Sequence, residues 1–288
     1  MNLAKYVELT KPKVTLLNLL VGVTCFILAV FPAVDWLKLA LFCAAGYLAA
    51  GGCGVLNSVY DRDLDRLMPR TSQRAIPADH VTPRKALFFG AALTISGMVL
   101  AYFGFNGLTA FLMALGAVFY LAVYTAWLKR ASNWNVVIGG VAGCFAGLAG
   151  WAAAANAISL LPLLVAAVDF LWTPGHLWGL AIKKAKEYKT AGIPMLPATS
   201  GLAKAAQATF LFNTAAVGSS MLLPLLGLTG QVFFIAAAFA GCWFLFESLR
   251  LMVQLSEAHG FRVFLASMPY LAALMVALVA DRLIAVSF

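Results

Sequence analysis

The chain has 288 residues, of which 63% are hydrophobic and 11% are charged, and its formal net charge is +9. A soluble domain carries about 25% charged residues, so this composition excludes an ordinary soluble globular protein. Apolar stretches of about 20 residues recur along the chain, and each is long enough to cross the hydrocarbon layer of a bilayer as a helix. The composition therefore predicts a protein that crosses the membrane many times.

Nine apolar segments are predicted to be membrane-spanning helices, because backbone polar groups in lipid must be hydrogen-bonded within the protein. Short polar breaks such as Asn106-Gly107 and Thr229-Gly230 separate some of them, and longer basic connections separate the others. The predicted fold class is all-α, a polytopic membrane protein with a single domain over residues 1–288. The predicted spans are 14–32, 36–57, 85–105, 107–128, 134–155, 158–182, 205–228, 230–252 and 262–286.

Lysine and arginine lie almost entirely on one side of these spans. Of the 20 basic residues, 18 fall in the N-terminal segment or in the connections after spans 2, 4, 6 and 8, which leaves Lys38 and Arg282 on the other side. Cytoplasmic connections carry such an excess, so we expect a multi-pass protein of the inner (cytoplasmic) membrane with its N-terminus in the cytoplasm and its C-terminus in the periplasm. The charge then reflects topology in the lipid bilayer, and no nucleic-acid partner is predicted.

Polar side chains with metal-binding chemistry follow the second span. Asn57, Asp61 and Asp65 stand four residues apart, so on a continuing helix they share one face. An amide and two carboxylates suit Mg²⁺, which completes its shell with water and substrate phosphate, and Arg70 and Arg74 carry guanidinium groups that match phosphate oxygens. The alternative is an ordinary solvated helix end with ion pairs. At a solvated end, replacing Asp61 or Asp65 by alanine should leave the protein folded.

A second group of polar residues lies around the sixth span. Asp169 and His176 fall within or near apolar sequence, where ionisable residues are costly and usually functional. Thr173-Pro174-Gly175 is expected to interrupt the helix there, because proline removes a backbone donor. Glu187 follows among several lysines, and a surface ion pair is the alternative to a functional role for it.

The order and spacing of these motifs resemble the intramembrane prenyltransferases and, within them, the protohaem IX farnesyltransferase (haem O synthase) branch. The resemblance covers nearly the whole chain. The chain departs from the family pattern at Ala75, Gly175 and Glu187 and in the segment "CFAGLAG". The matching segments are "LTKPKVTLLNLLVG" (9–22), "NSVYDRDLDRLMPRT" (57–71), "NVVIGGVAG" (135–143), "TPGHLWGLAI" (173–182) and "YKTAGIPMLP" (188–197).

The resemblance implies nine helices around a central chamber and a Mg²⁺-dependent transfer of a farnesyl group from farnesyl diphosphate to a vinyl group of haem B. It implies that Asn57, Asp61 and Asp65 hold the metal, and that these three and His176 serve catalysis. The residues implied to bind the diphosphate are Arg70, Arg74, Lys129, Glu187 and Tyr188.

Two other functions are compatible with the sequence. A prenyltransferase for an aromatic quinone precursor would share the Asp-rich motif, and a non-catalytic membrane protein that binds haem would share the histidine segment. The sequence also leaves open whether the chain forms a homo-oligomer or binds a partner of the haem pathway.

Overall fold

The computed structural model describes residues 3–287, and all regular secondary structure in that range is helical. Nine of these helices are long and apolar enough to cross a membrane, which confirms the predicted fold class. They are α1 (Pro12–Val30), α2 (Trp36–Tyr60), α3 (Pro83–Gly104), α4 (Gly107–Ala131), α5 (Asn135–Ala155), α6 (Leu160–Lys183), α7 (Leu196–Leu225), α8 (Gln231–Val253) and α9 (Glu257–Ser287).

Capping chemistry explains several of the helix starts. Pro12 and Pro83 occupy the first turns of α1 and α3, where a missing backbone N–H costs nothing. The carboxylate of Asp35 accepts hydrogen bonds from the N–H groups of Leu37 and Lys38 and so caps α2. Of the polar breaks in the sequence, Asn106 also caps a helix, since its side-chain oxygen accepts from the Thr109 N–H at the start of α4.

The helices pack in two groups that meet at α1, α5, α6 and α9. In the first group, α2 packs against α1 and α3, and α4 packs against α5. In the second group, α6 packs against α7 and α9, and α8 contacts both α7 and α9. Aromatic packing of Phe26, Phe42 and Phe105 fills the first group. A separate apolar cluster that includes Leu64 and Tyr188 joins the connection after α2 to the one after α6. This cluster brings the two long connections to the same end of the bundle.

Two predicted features of the helices are wrong. Helix α7 begins at Leu196 instead of residue 205, because a short helical segment precedes the main helix and joins it at a kink at Gly201, whose non-helical φ of 84° only glycine adopts readily. Helix α6 is not interrupted by Pro174. Pro174 has no N–H to donate to the Phe170 carbonyl, but neighbouring helices in a bundle support a proline-containing span. The Thr173 hydroxyl adds a hydrogen bond to the Asp169 carbonyl at 2.8 Å.

Glycine permits the closest approach between α1 and α5. A Cβ atom added at Gly150 would lie 2.0 Å from the carbonyl oxygen of Gly22, whereas one added at Gly218 of α7 would meet no atom within 4 Å. Small residues let membrane helices approach to backbone contact, so the α1–α5 pair depends on Gly150.

We therefore predict opposite effects for two glycine-to-alanine changes. G150A should lower the free energy of unfolding by about 1–3 kcal/mol, because the two helices must separate. G218A should be neutral or stabilising by up to about 1 kcal/mol, because alanine favours the helix and finds open space. Thermal unfolding in detergent measures both, and equal midpoints for the two variants would contradict the close approach.

Candidate active site

The Asp-rich face is built by a helix that continues past the end of α2. The N–H of Asp61 donates to the Asn57 carbonyl at 2.9 Å and that of Asp65 to the Asp61 carbonyl at 2.8 Å, and the short helix Arg62–Leu67 follows. Because this hydrogen-bond pattern is helical, the four-residue spacing places the three side chains along one face. Asp63 points away and pairs with Arg130 at 2.7 Å. The Arg130 guanidinium lowers the pKa of Asp63 to about 2.

This face is buried, so the expectation of a solvated helix end is wrong. Asp61 and Asp65 are each 2% exposed, and Asn57 is buried as well. The reason is tertiary: side chains from the end of α4 and from the connection after α2 lie against the carboxylates. Buried carboxylates require partners, because an unpaired charge in a low-dielectric environment is very costly.

Cations from other segments supply those partners. The Lys11 ammonium, just before α1, donates to Oδ1 of Asn57. The Lys129 ammonium, near the end of α4, donates to Oδ2 of Asp61. The family resemblance implies that Lys129 binds the diphosphate, whereas Lys11 contributes only to the predicted membrane orientation. A lysine directly before the helix-starting proline was the available signal for Lys11.

Arg74 binds the second carboxylate of the face. One of its guanidinium nitrogens donates to both carboxylate oxygens of Asp65, at 3.1 and 3.0 Å. Burial lowers the pKa of Lys11 to about 7, and the positive charges of Arg74 and Lys129 act in the same direction, whereas Asp61 and Asp65 oppose them. Lys11, Lys129 and Arg74 therefore lie close enough to Asp61 and Asp65 for their charges to affect one another.

A threonine orients the amide of this face. The Asn57 Nδ2 group donates to Oδ2 of Asp61 and to the hydroxyl of Thr125, both at 2.9 Å. The Thr125 hydroxyl in turn donates to the Tyr120 carbonyl at 2.7 Å, within the π-helical segment Phe119–Leu128. Because Asn57 donates both of its amide hydrogens to these two acceptors, its side-chain oxygen is the atom that faces Lys11. No sequence pattern indicated Thr125, because its role depends on contact between α2 and α4.

The donor atoms of this face fit a magnesium ion. Among the described residues, Oδ1 of Asp61 is buried and accepts no hydrogen bond, and an Arg130 nitrogen lies 4.0 Å from it. Together with the Asn57 and Asp65 oxygens it forms an all-oxygen set with two carboxylates, which is typical of Mg²⁺ that also binds phosphate and water. Within residues 3–287 no three acidic, histidine or cysteine side chains form a metal cluster.

The remaining predicted diphosphate residues come from the two long connections. Tyr188 is buried, and this burial raises its pKa, while the charges of Arg70 and Arg74 lower it. Arg70 is exposed at the bundle end. Oε1 of Glu187 accepts from Lys184 at 2.6 Å, whereas its Oε2 is buried and has no hydrogen-bond partner among the described residues. The connections thus bring Tyr188 near the two arginines, whereas Glu187 is engaged with its own helix.

A cavity of about 410 Å³ extends into the bundle from this charged end. Its wall is mostly apolar, with two stacked tyrosines whose ring centroids are 6.1 Å apart. The polar and aromatic residues along it include Lys11, Asn18, Tyr120, Tyr124, Asp169 and His176. The cavity therefore connects a site for a charged group to a space for an apolar one.

His176 is held in one orientation on the cavity wall. Its ring stacks between Trp172 and Phe264, with centroid distances of 4.3 and 4.6 Å, and its Nδ1 lies 2.6 Å from the Ser267 hydroxyl. That hydroxyl donates its single hydrogen to the Phe264 carbonyl at 2.7 Å, so Nδ1 must be the donor to Ser267. In the neutral ring the Nε2 lone pair is then free to bind a ligand.

Comparison with known proteins identifies the class. The chain matches the model of the UbiA prenyltransferase family over residues 16–275 and belongs to that family. The fold agrees: a structure described as that of digeranylgeranylglyceryl phosphate synthase superimposes with a TM-score of 0.77 at 20% identity, covering 97% of this chain and 98% of the other. A UbiA homolog from Archaeoglobus fulgidus bound to DMAPP and Mg²⁺ gives 0.71 at 17% identity, covering 96% and 99%.

The sequence relatives are more specific. The chain is 41% identical to protoheme IX farnesyltransferase 1 of Paramagnetospirillum magneticum, over 98% of this chain and 99% of the relative. It is 38% identical to the protoheme IX farnesyltransferase of Paenarthrobacter aurescens, over 96% and 88%. The resemblance inferred from the motifs is confirmed, and the chain is a prenyltransferase.

The buried pairing leads to a prediction about stability. Asp61→Ala should lower the free energy of unfolding by about 3–5 kcal/mol, because it leaves the Lys129 ammonium buried without its partner. The double variant Asp61→Ala/Lys129→Met should recover most of that loss while remaining inactive. Thermal unfolding of the purified variants tests this, and equal midpoints for the single and double variants would show that the pair does not stabilise the fold.

Proposed function

We propose that this protein transfers the farnesyl group of farnesyl diphosphate to a vinyl group of haem B in the membrane, giving haem O. The observation that carries the proposal is the cavity that runs from Lys11, whose ammonium donates to Asn57 of the Asp-rich cluster, to His176. One end suits a metal diphosphate and the other suits an iron porphyrin. The relatives named protoheme IX farnesyltransferase support this pairing of substrates.

Farnesyl diphosphate, the prenyl donor, would bind at the end of the bundle that carries the Asp-rich face and its cations. Asn57, Asp61 and Asp65 would hold Mg²⁺, which when bound neutralises charge that develops on the departing diphosphate. In the structure described here Lys11 and Lys129 occupy these oxygens. We propose that both ammonium groups turn to the diphosphate when metal and substrate enter, since the incoming cation would replace Lys11 at the Asn57 oxygen and Lys129 at the Asp61 carboxylate.

Arginines and the second connection complete the diphosphate site. Arg70 and Arg74 would donate to its oxygens, because guanidinium groups bind phosphate in a bidentate manner, and Tyr188 lies near both. Glu187 would act indirectly, by holding Lys184 at the mouth of the site. Stabilising the leaving group is the largest contribution such a site makes to the rate.

The apolar part of the cavity would bind the farnesyl chain and protect the allylic cation from water. After the carbon–oxygen bond breaks, the haem vinyl group attacks C1 of the farnesyl cation, and water captures the resulting cation to leave a hydroxyethylfarnesyl group. Exclusion of bulk water until that point prevents hydrolysis of the first cation. Tyr120 and Tyr124 line this part of the cavity and present aromatic faces suited to a cation.

His176 favours haem over an aromatic quinone precursor as the acceptor. Its Nε2 is a neutral nitrogen ligand fixed by a serine and two aromatic rings, and haem iron commonly takes such a ligand. A quinone precursor has no metal that needs it. A protein that only bound haem would have no use for the Asp-rich cluster and its three cations.

Two variants should separate the acceptor from the donor. His176→Ala should abolish the Soret shift seen when haem B is added and lose the farnesylated product, while farnesyl diphosphate binding stays near the wild-type value. Asp61→Asn should retain the Soret shift but lower turnover by about 10²–10³-fold, because it weakens stabilisation of the leaving group. Absorption spectra, diphosphate release and chromatography of extracted haems measure these effects.

His80→Ala is the matched control, since His80 is exposed outside the cavity and should behave as wild type. An unchanged Soret shift in His176→Ala would remove iron ligation from the proposal. If wild-type protein formed a prenylated quinone precursor and no farnesylated haem, the acceptor would be the quinone precursor instead of haem B.

We also propose that the charged end faces the cytoplasm and that the membrane is the inner membrane. The support is the excess of lysine and arginine at this end, which is the end that carries the diphosphate site. The diphosphate, a water-soluble leaving group, would then be released into the cytoplasm, the compartment that supplies Mg²⁺. The predicted periplasmic C-terminus ends at Phe288, which lies outside the described residues.

Cysteine accessibility tests this orientation. Gln73→Cys, in the connection after α2, should react with an impermeant maleimide only after the cells are opened. Ser159→Cys, in the connection between α5 and α6, should react in intact cells, because both positions are exposed but lie at opposite ends of the bundle. Labelling of the unchanged chain measures the background from its native cysteines. If Gln73→Cys reacted in intact cells and Ser159→Cys only in opened cells, the orientation would be the opposite of the one proposed.

A further inference from the structure

Asp169 is a buried acid for which neither the fold nor the proposed function above provides a role. It lies within α6, it is 4% exposed, and its side chain borders the cavity. Among residues 3–287 no hydrogen bond or ion pair to its carboxylate is found, in contrast to Asp61 and Asp65. It does not cap a helix either, as Asp281 does by accepting from the N–H groups of Gly230 and Phe233.

The surrounding structure keeps room for this carboxylate. A Cβ atom added at Gly143 of α5 would lie 2.8 Å from Oδ2 of Asp169, so any other residue there would press on the acid. An unpaired carboxyl group inside a membrane bundle is costly and is usually retained for function. Its placement on the cavity wall therefore indicates a role toward a molecule in the cavity.

The position of Asp169 relative to His176 indicates which part of the substrate it meets. The two residues are seven positions apart on α6, which is two turns or about 10 Å along one face of the helix. Thr173 lies between them and also lines the cavity. A porphyrin bound at His176 and extending along α6 would carry its peripheral groups toward Asp169. Among the described residues that line the cavity, Asp169 is the single carboxylic acid.

We propose that Asp169 is the general base for the water that ends the reaction. The inference rests on the proposed function. After the farnesyl C1 atom bonds to the terminal vinyl carbon, the positive charge lies on the vinyl carbon attached to the porphyrin. A water oxygen bonds to that carbon, one water proton passes to the Asp169 carboxylate, and a neutral hydroxyethylfarnesyl group remains. No oxidant or reductant is consumed.

A carboxylate at this place serves the cation in two ways. It stabilises the positive charge by attraction across a low-dielectric cavity, and it holds the attacking water by a hydrogen bond. Without such a base the same cation has a competing fate, which is loss of a proton from the neighbouring carbon. That path gives an alkenyl haem lighter by one water, so the ratio of the two products reports directly on the base.

The test uses full-length protein with Mg²⁺, farnesyl diphosphate and haem B, followed by mass spectrometry of the extracted haems. Asp169→Asn should still release diphosphate and form the carbon–carbon bond, but water capture should slow by about 100-fold or more, so the alkenyl product dominates. Asp169→Glu keeps the acid and should yield mainly the hydroxylated product at a lower rate. Asp281→Asn alters another buried aspartate and should leave the product ratio unchanged.

The outcomes separate this inference from the proposed function. If wild-type protein forms no farnesylated haem, the proposed function fails. If wild-type protein forms the hydroxylated product and Asp169→Asn gives the same ratio at the same rate, the base lies elsewhere. Loss of carbon–carbon bond formation in a folded Asp169→Asn protein would also overturn the inference. Should Asp169→Asn not fold, Asp169→Ser takes its place, and a wild-type rate and product ratio in folded Asp169→Ser would overturn the inference.

Discussion

Buried charge pairing at one end of the bundle is the constraint on which the rest of the structure depends. Two carboxylates at the end of α2 are removed from water, and each depends on a cation that reaches it from elsewhere in the chain. Lys129 comes from α4 and Arg74 from the connection after α2, while Lys11 holds the neighbouring amide. The pairing draws α1, α2 and α4 together, and so it forms the mouth of the cavity.

In the proposed function the same pairing would prepare the site for its substrate. A cluster with three cations and two acids would change little in net charge on binding a magnesium diphosphate, because the metal would replace cations at the side-chain oxygens and the phosphate oxygens would receive those cations. Preorganised charges of this kind stabilise a leaving group without reorganisation during the reaction. The π-helical turn of α4 contributes by placing Thr125 against Asn57, and π-turns often occur at functional sites.

The acceptor end relies on a different kind of order. Here the polar groups are few and each is fixed by apolar packing: His176 lies between two aromatic rings, and Asp169 lies against a glycine. The continuity of α6 through Pro174 matters for this arrangement, since an interrupted helix would not keep His176 and Asp169 on one face. Departure from the family pattern at Gly175 has a structural reason, because Asn213 of α7 occupies the space that a side chain there would need.

The sequence by itself determined the membrane class, the nine spans and the shared face of Asn57, Asp61 and Asp65, since these depend on hydropathy and helical periodicity alone. Only the tertiary structure decided that the face is buried, that Lys11 belongs to the site, and that Thr125 orients the amide. Those facts depend on contacts between segments that are 46 to 68 residues apart, and no local pattern encodes such contacts. For the same reason the continuity of α6 was mispredicted: proline disfavours a helix locally, but the packed bundle supports it.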